Sequence, residues 1–423
     1  MASSNIIVEL STLIHENTLK VNEHLTSNGL PTPSFDITQP ARLTLPPHIQ
    51  SLQEAIVDAS DELRALMLGP IGYISHQPHN AWTSLQAIQR FKIAHSFPPT
   101  ETSTFSAVAR ACSLTESDTR RILRHAMTYY IFREPSPGIV AHTAISKALV
   151  DLPPFESFVG FVGDEVCPAG TRMVDAMVKW PGSEEPNHTG FQLAEGTDLR
   201  LFDIIVKDPK RRQQAAECFA FAHSGSEYSI RHLLENFEWG VAAEGLLVDV
   251  GGGAGTAAIE IARYLSKIKC VVQDLPEVVA GAVVPEDLQL GERLRFMAHD
   301  FFQDQPLRGA DIYHLRWILH DWSDKYALKI LQRLIPALKS GAKILVSDIC
   351  LSPPCVLTPY QERSARTQDM VMKQVQNAKE RDAEEWATLF KQADPRFKLE
   401  DIKKPAGSLN AIICAVWTGE NTG

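Results

Sequence analysis

Val248-Asp249-Val250-Gly251-Gly252-Gly253-Ala254-Gly255-Thr256 is entered from an apolar run and followed, from Ala257 to Leu265, by apolar residues at helical spacing. The pattern predicts a strand, a glycine-rich turn and a helix, which is the layout of a nucleotide-cofactor site. Glycines are needed because the turn demands positive φ and because a Cβ would block the backbone's approach to a ligand. A dinucleotide fingerprint G-x-G-x-x-G starting at Gly251 requires glycine or alanine at 256, where Thr256 stands. The spacing here is G-x-G-x-G, through Gly251, Gly253 and Gly255, with the acidic Asp249 ahead of it. A glycine-rich loop without a ligand is the plainer alternative.

Strands and helices alternate from Gly245 onward. Strand candidates are Leu246 to Val250, Cys270 to Gln273, Leu294 to Met297, Asp311 to Leu315 and Lys343 to Ser347. Helices between them predict an α/β fold, a parallel sheet with helices on both faces. Phe397 to Ile402 and Leu409 to Trp417, separated by Pro405-Ala406-Gly407, predict a terminal hairpin on the sheet edge. Asp274 ends the second strand, 19 positions after Gly255 (274 minus 255), where a carboxylate accepts both ribose hydroxyls of a nucleoside. Nicotinamide enzymes share that device. After the third strand, His299-Asp300-Phe301-Phe302 sets a carboxylate beside aromatic rings, suited to an adenine amino group and its face; a satisfied loop aspartate is the alternative.

The fourth strand runs into Leu315-Arg316-Trp317-Ile318-Leu319-His320-Asp321-Trp322-Ser323-Asp324. Ligands in open parallel sheets bind at the carboxyl ends of strands, so His320 is expected to face the cofactor cleft. The bland reading is a helix-start histidine, with Asp321 or Ser323 capping and Asp324 favouring the helix dipole. A metal site from His314, His320, Asp321 and Asp324 is weak, because no H-x-x-x-H pair or facial triad appears; the expectation is no metal.

The chain has 423 residues, enough for two domains, with 44% hydrophobic and 22% charged residues. No apolar run approaches the eighteen or so residues of a membrane span, and Glu9, His15 and Glu16 interrupt any secretory pattern. Seven cysteines without a C-x-x-C suggest reduced thiols, hence a cytoplasmic protein. A formal net charge of −10 opposes a polyanionic partner and favours a small-molecule substrate, with no nucleic acid and no membrane as partners. Helical spacing is expected over 3 to 26, Ile49 to Leu68 and Ala81 to His95. Thr104 to Leu149 reads as a winged helix: helices Ser106 to Cys112 and Asp118 to Tyr130, then a two-stranded wing around Pro135-Ser136-Pro137-Gly138. Arg120, Arg121 and Arg124 fall where a DNA-recognition helix carries them; a solvated face is favoured, since the chain is acidic and has no flanking basic arm. Phe155 to Phe237 is mostly helical, with Pro181 to Gly190 as a surface loop.

Val248 to Gly255, Gln273-Asp274-Leu275-Pro276, His320-Asp321-Trp322 and Asn377-Ala378-Lys379-Glu380-Arg381 together resemble the small-molecule O-methyltransferases of the caffeic acid O-methyltransferase type, and more closely their fungal polyketide-tailoring relatives. The resemblance spans nearly the whole chain. It implies a Rossmann-like domain at 241–423 binding S-adenosylmethionine (SAM), a helical linker and substrate region at 151–240, and an N-terminal winged-helix dimerisation domain at 1–150, giving a homodimer. Asp249, Gly251, Gly253, Gly255, Asp274, Asp300, Phe301 and Arg316 are then the expected cofactor residues, with Trp317 lining the adenine pocket. The resemblance makes His320 the general base for a hydroxyl of a small aromatic substrate, with Asp348 and Glu380 as its acidic partners; Asp348 replaces the glutamate common in plant members and is shorter by one methylene. Apolar residues in Phe155 to Met177, with Met370 and Met372, are expected to shape the acceptor site. Two rivals stand beside this reading: a SAM-bound relative catalysing a pericyclic rearrangement, and a winged-helix regulator binding a small ligand.

Overall fold

The computed structural model describes residues 5–222, 224–284 and 290–420; residues 3 and 4 of the expected first helix lie outside them. Contacts divide the chain into two compact units, one of Met1–Pro168, Ile205–Ala222 and Thr358–Gln361, the other of Ala169–Ile204, His223–Leu357 and Glu362–Gly423. The expected segment 151–240 is thus shared between the units. Part of the reason is that helix Pro209–Ala222 packs on helix Pro153–Phe161, bringing a stretch from beyond residue 200 into the first unit.

In the first unit, helices Ile6–Ser27 and Pro47–Ser75 pack around buried Leu25, Leu45 and Ile49. The second is interrupted at Gly69, with φ 66, just before Pro70, which cannot donate to the helix ladder. The helix expected over Ile49 to Leu68 covers the segment before this interruption, and the structure continues helical to Ser75. Strand β1 (Thr102–Thr104), helices Phe105–Ala111 and Glu116–Met127, β2 (Arg133–Ser136) and β3 (Ile139–Ala141) follow, and the strands form an antiparallel sheet in the order β1-β3-β2. Thr104 and Thr115 start the two helices by accepting the amides of Ala107 and Asp118. Phe105, Val108, Leu123, Ala126, Phe132 and Val140 close the core. The three arginines face acids: Arg120 to Glu116 at 2.5 Å, Arg124 by two 2.9 Å bonds to Glu134, and Arg121 at 3.7 Å from Asp118.

The second unit is built on β4 (Leu246–Val250), β5 (Lys269–Asp274), β6 (Leu294–Ala298), β7 (Ile312–Arg316), β8 (Lys343–Leu351), β9 (Arg381–Asp382), β10 (Phe397–Lys403) and β11 (Asn410–Trp417). The order is β10-β11-β8-β7-β4-β5-β6, with β9 paired to the end of β8. Pairs from β8 to β6 are parallel, and the terminal hairpin adds two antiparallel strands at one edge. Side chains alternate between two cores. Val248, Val250, Leu315 and Val346 face helices Asp324–Leu334 and Ala383–Ala393, while Leu247, Cys270, Ile312 and Leu345 face helix Thr256–Tyr264. The chain leaves β4 toward β5 and β6 and then returns to β7 on its other side. The crevice between the ends of β4 and β7 is therefore the switch point where α/β sheets bind ligands. Among the described residues no helix is long and apolar enough to cross a membrane.

Candidate active site

Strand β4 carries Asp249 to the floor of the glycine turn. Its register partner on β7 is His314, whose Nδ1 lies 2.8 Å from Asp249 Oδ1, while Nε2 lies 3.1 Å from Ser347 Oγ. All three residues are buried, and Asp249 Oδ2, beside Gly252, has no hydrogen-bond partner among the described residues. Gly251 and Gly255 take φ of 71 and 79. A Cβ on Gly251 would overlap Ile318, and one on Gly255 would come within 2.9 Å of the Phe296 ring. Space over Gly253 is open. Its amide donates to Asp274 Oδ2 and the Leu275 amide to Oδ1, both at 2.8 Å; a carboxylate has about four acceptor directions, so both oxygens keep capacity. Burial raises the Asp274 pKa.

Asp300 accepts the Phe302 amide at 2.9 Å, the local bond of a loop aspartate, and Phe301 packs edge-on to Trp322 beside the turn. Arg316, at the end of β7, donates to the Tyr228 carbonyl, and its guanidinium lies 4.0 Å from the Trp317 ring centroid. Burial brings its pKa down to about 10.

His320 sits in a single 3₁₀ turn, Leu319–Asp321, and is 8% exposed. Its Nδ1 lies 2.8 Å from Glu380 Oε1, which assigns the proton to Nδ1 and leaves Nε2 as the acceptor in the neutral ring. Asp321 Oδ1 is 3.6 Å from Nε2, too far for a hydrogen bond. Asp348 does not reach the ring. Its two oxygens accept backbone amides instead, Trp317 at 2.6 Å and His320 at 3.3 Å. Trp317 needs that support, since a bulky residue at φ 53 is uncommon and costly. Burial alone would lower the His320 pKa, but Asp321, Glu380 and Asp348 together outweigh it and lift the ring to about 10. Burial pushes Asp348 up to about 6.

Several groups at this site carry no signal in local spacing. Gln376 donates to Asp321 Oδ1 at 2.7 Å, and the Glu380 amide donates to Asp369 at 2.9 Å. Pro181 to Gly190 is irregular as expected, yet it is tied down: the carbonyls of Ser183 and Glu185 accept the side-chain amide of Asn377 at 2.8 and 2.9 Å. Ser323 does not cap its helix; its hydroxyl donates to the Glu184 carbonyl, and Glu184 Oε1 accepts the Lys325 amide at 3.0 Å in its place. The expected acceptor-lining residues are scattered: Phe155 and Phe158 pack on the core of the first unit, Met372 is buried, and Met177 and Met370 are exposed. His314 binds Asp249 and Ser347, and no group of three or more His, Cys, Asp or Glu among the described residues is placed to hold a metal ion.

An O-methyltransferase domain family matches residues 178–395. The chain belongs to that family. It is 39% identical over 415 residues to the O-methyltransferase kk1A of Curvularia clavata, a match covering 97% of each chain. Among solved structures, OxaC in complex with SAH and oxaline is similar with a TM-score of 0.74 at 19% identity, covering 96% of this chain and 100% of that one. A structure titled "A Pericyclic Reaction enzyme" is similar with a TM-score of 0.71 at 21% identity, covering 96% and 99%. At such identities the structures establish the fold, and the sequence relatives establish the activity. The enzyme is a SAM-dependent O-methyltransferase. Its residues fit that cofactor: the turn is open over Gly253, Asp274 has spare acceptor capacity beside it, and the buried Asp249 Oδ2 awaits a donor.

Proposed function

We propose that this O-methyltransferase acts on a phenolic or enolic hydroxyl of a small aromatic secondary metabolite, with His320 Nε2 taking the hydroxyl proton. The observation that carries the reading is one imidazole held by Glu380 and surrounded by three carboxylates, two residues from Ile318, which itself abuts Gly251 of the cofactor turn. When bound, SAM supplies a methyl group on a positively charged sulfur, an electrophile with a neutral leaving group. The chain supplies orientation and a base. An ordinary imidazole, with pKa about 6.5, takes a proton from a phenol of about 10 at a cost of roughly 5 kcal/mol. With the carboxylates holding His320 above the ordinary imidazole range, the neutral ring takes the proton at a smaller cost, while a larger share of the ring is already protonated near pH 7. Glu380 fixes the ring and stabilises the imidazolium, and Asp348 holds the backbone beneath it.

The same reading assigns Asp274 to the ribose, Asp300 and Phe301 to the adenine, and Arg316 to the cofactor's surroundings. Residues 104–149 are a winged helix in this proposal, supported by the helix pair and the three-stranded sheet. Homodimerisation through residues 1 to about 149 is supported by Ile7, Val8 and Leu19 on the first helix and Met67, Ile71 and Ile74 on the second, all exposed and apolar. A cytoplasmic location fits seven unpaired cysteines. Light scattering should give twice the chain mass, and a fully active monomer at micromolar concentration would refute the dimer.

The test is a panel of phenols and enols of graded acidity with labelled SAM, run with wild type and His320→Ala. Label is expected on oxygen in wild type and to fall steeply in the variant. A product rearranged without label would favour the pericyclic alternative, and wild-type labelling by His320→Ala would remove the base.

A further inference from the structure

Arg381 is the one fully buried arginine among the described residues, with a side chain exposed by 0%. A buried guanidinium requires its donors to be matched, and the matches here are specific. Nη1 donates to the Leu319 carbonyl at 2.8 Å, Nη2 to the Trp322 carbonyl at 2.9 Å, and Nε to Asp324 Oδ1 at 2.9 Å. Leu319 and Trp322 bracket His320 in the chain. Strand β9, of which Arg381 is the first residue, pairs with the end of β8, and Trp386 packs against the guanidinium 5.3 Å away. The arm is therefore anchored at its root as well as its tip.

From the other pole, Asp348 of β8 accepts the amides of Trp317 and His320. The turn's carbonyls are held by a cation and its amides by an anion, and Glu380, the neighbour of Arg381, holds the ring itself. Position 380 grips the imidazole and position 381 grips the backbone that carries it.

We infer that Arg381 is a positioning residue for proton abstraction, fixing the turn that bears His320 so that Nε2 is presented at one distance and angle to the acceptor hydroxyl. This rests on the reading of His320 as the base. A planar fork meets two carbonyls and a carboxylate along three fixed directions, which a lysine ammonium, with its donors on one nitrogen at the end of a flexible stem, does not reproduce. Displacing a reacting group by an ångström or so from a distance costs about a hundredfold in rate.

The experiment compares Arg381→Lys, Asp324→Asn and His320→Ala across phenols of graded acidity, with SAM binding and the thermal transition recorded for each. Arg381→Lys is expected to bind SAM as wild type does and to lose about 10- to 100-fold in kcat, the loss growing as the phenol becomes less acidic. Asp324→Asn keeps an acceptor oxygen for Nε but removes the charge of a partly exposed residue that also pairs with Lys379, and is expected to stay within about threefold of wild type. A loss in Arg381→Lys that is equal for every phenol, or one matched by Asp324→Asn, overturns the inference in favour of a purely structural role; so does wild-type turnover. If Arg381→Lys does not fold, Arg381→Gln, which keeps a single amide donor for the two carbonyls, must show the same acidity dependence, and a uniform loss there overturns the clamp. A His320→Ala enzyme at wild-type rate would instead strike down the base itself, whatever Arg381 does.

Discussion

The glycine turn after β4 and the histidine turn after β7 lie side by side in one crevice, but they are held in different ways. The first is shaped by its own backbone and by the next strand: Gly251 and Gly255 adopt positive φ, the Gly255 amide donates to the Gly252 carbonyl at 2.9 Å, and the amides of Gly252 and Gly253 donate to Gln273 and Asp274. The second is shaped from far along the chain. Trp317 and His320 hang on Asp348, the ring on Glu380, the carbonyls on Arg381, and Ser323 and Lys325 on Glu184. Carboxylates stand at both turns, but at the second they set the strength and the aim of the proposed base together.

The largest effect is expected at His320. His320→Ala should keep SAM binding, since the glycine turn does not depend on it, and should lower turnover by roughly 10²–10⁴; calorimetry and steady-state rates measure the two separately. On the cofactor side, Asp274→Ala removes an acceptor that also organises the Gly253 amide, and SAM binding should weaken by about 1–3 kcal/mol while the acidity dependence of turnover stays the same. Gly251→Ala joins the two regions. The left-handed backbone costs about 1–2 kcal/mol and the added methyl presses on Ile318, so weaker SAM binding should be accompanied by a drop in kcat, which Asp274→Ala lacks. The smallest effect is expected at Glu184→Gln, where an exposed residue loses the charge with which it caps helix Asp324–Leu334. A melting temperature lowered by a few degrees at most, with near-normal kcat, is the prediction.

What the sequence made legible follows the same division. The strand over Leu246–Val250, the glycine turn and the terminal hairpin are written in local patterns, and the structure has them at the expected positions. Asp348 was expected by resemblance as an acidic partner of His320, but its place as an acceptor of two backbone amides could not be read, because that depends on the depth of β8 relative to the turn. Arg381 stood in a recognisable motif, yet its partners are carbonyls about sixty positions upstream, which carry no residue signature. Pro181 to Gly190 has the composition of a free surface loop. Nothing in its own residues reveals that Asn377 and Ser323 fasten it.

In the proposed mechanism a cage of carboxylates raises the basicity of His320. A carboxylate neighbour raises the imidazole pKa, so the neutral, active form should grow as pH rises from 7 toward about 10, and kcat/KM should climb with it. Removing one charge by Glu380→Gln must move both curves toward lower pH. The most direct measurement is an NMR titration of the His320 ring nitrogens in wild type and Glu380→Gln. The account predicts an inflection well above 6.5 in wild type that falls in the variant. An inflection at or below 6.5 that Glu380→Gln leaves in place would contradict it.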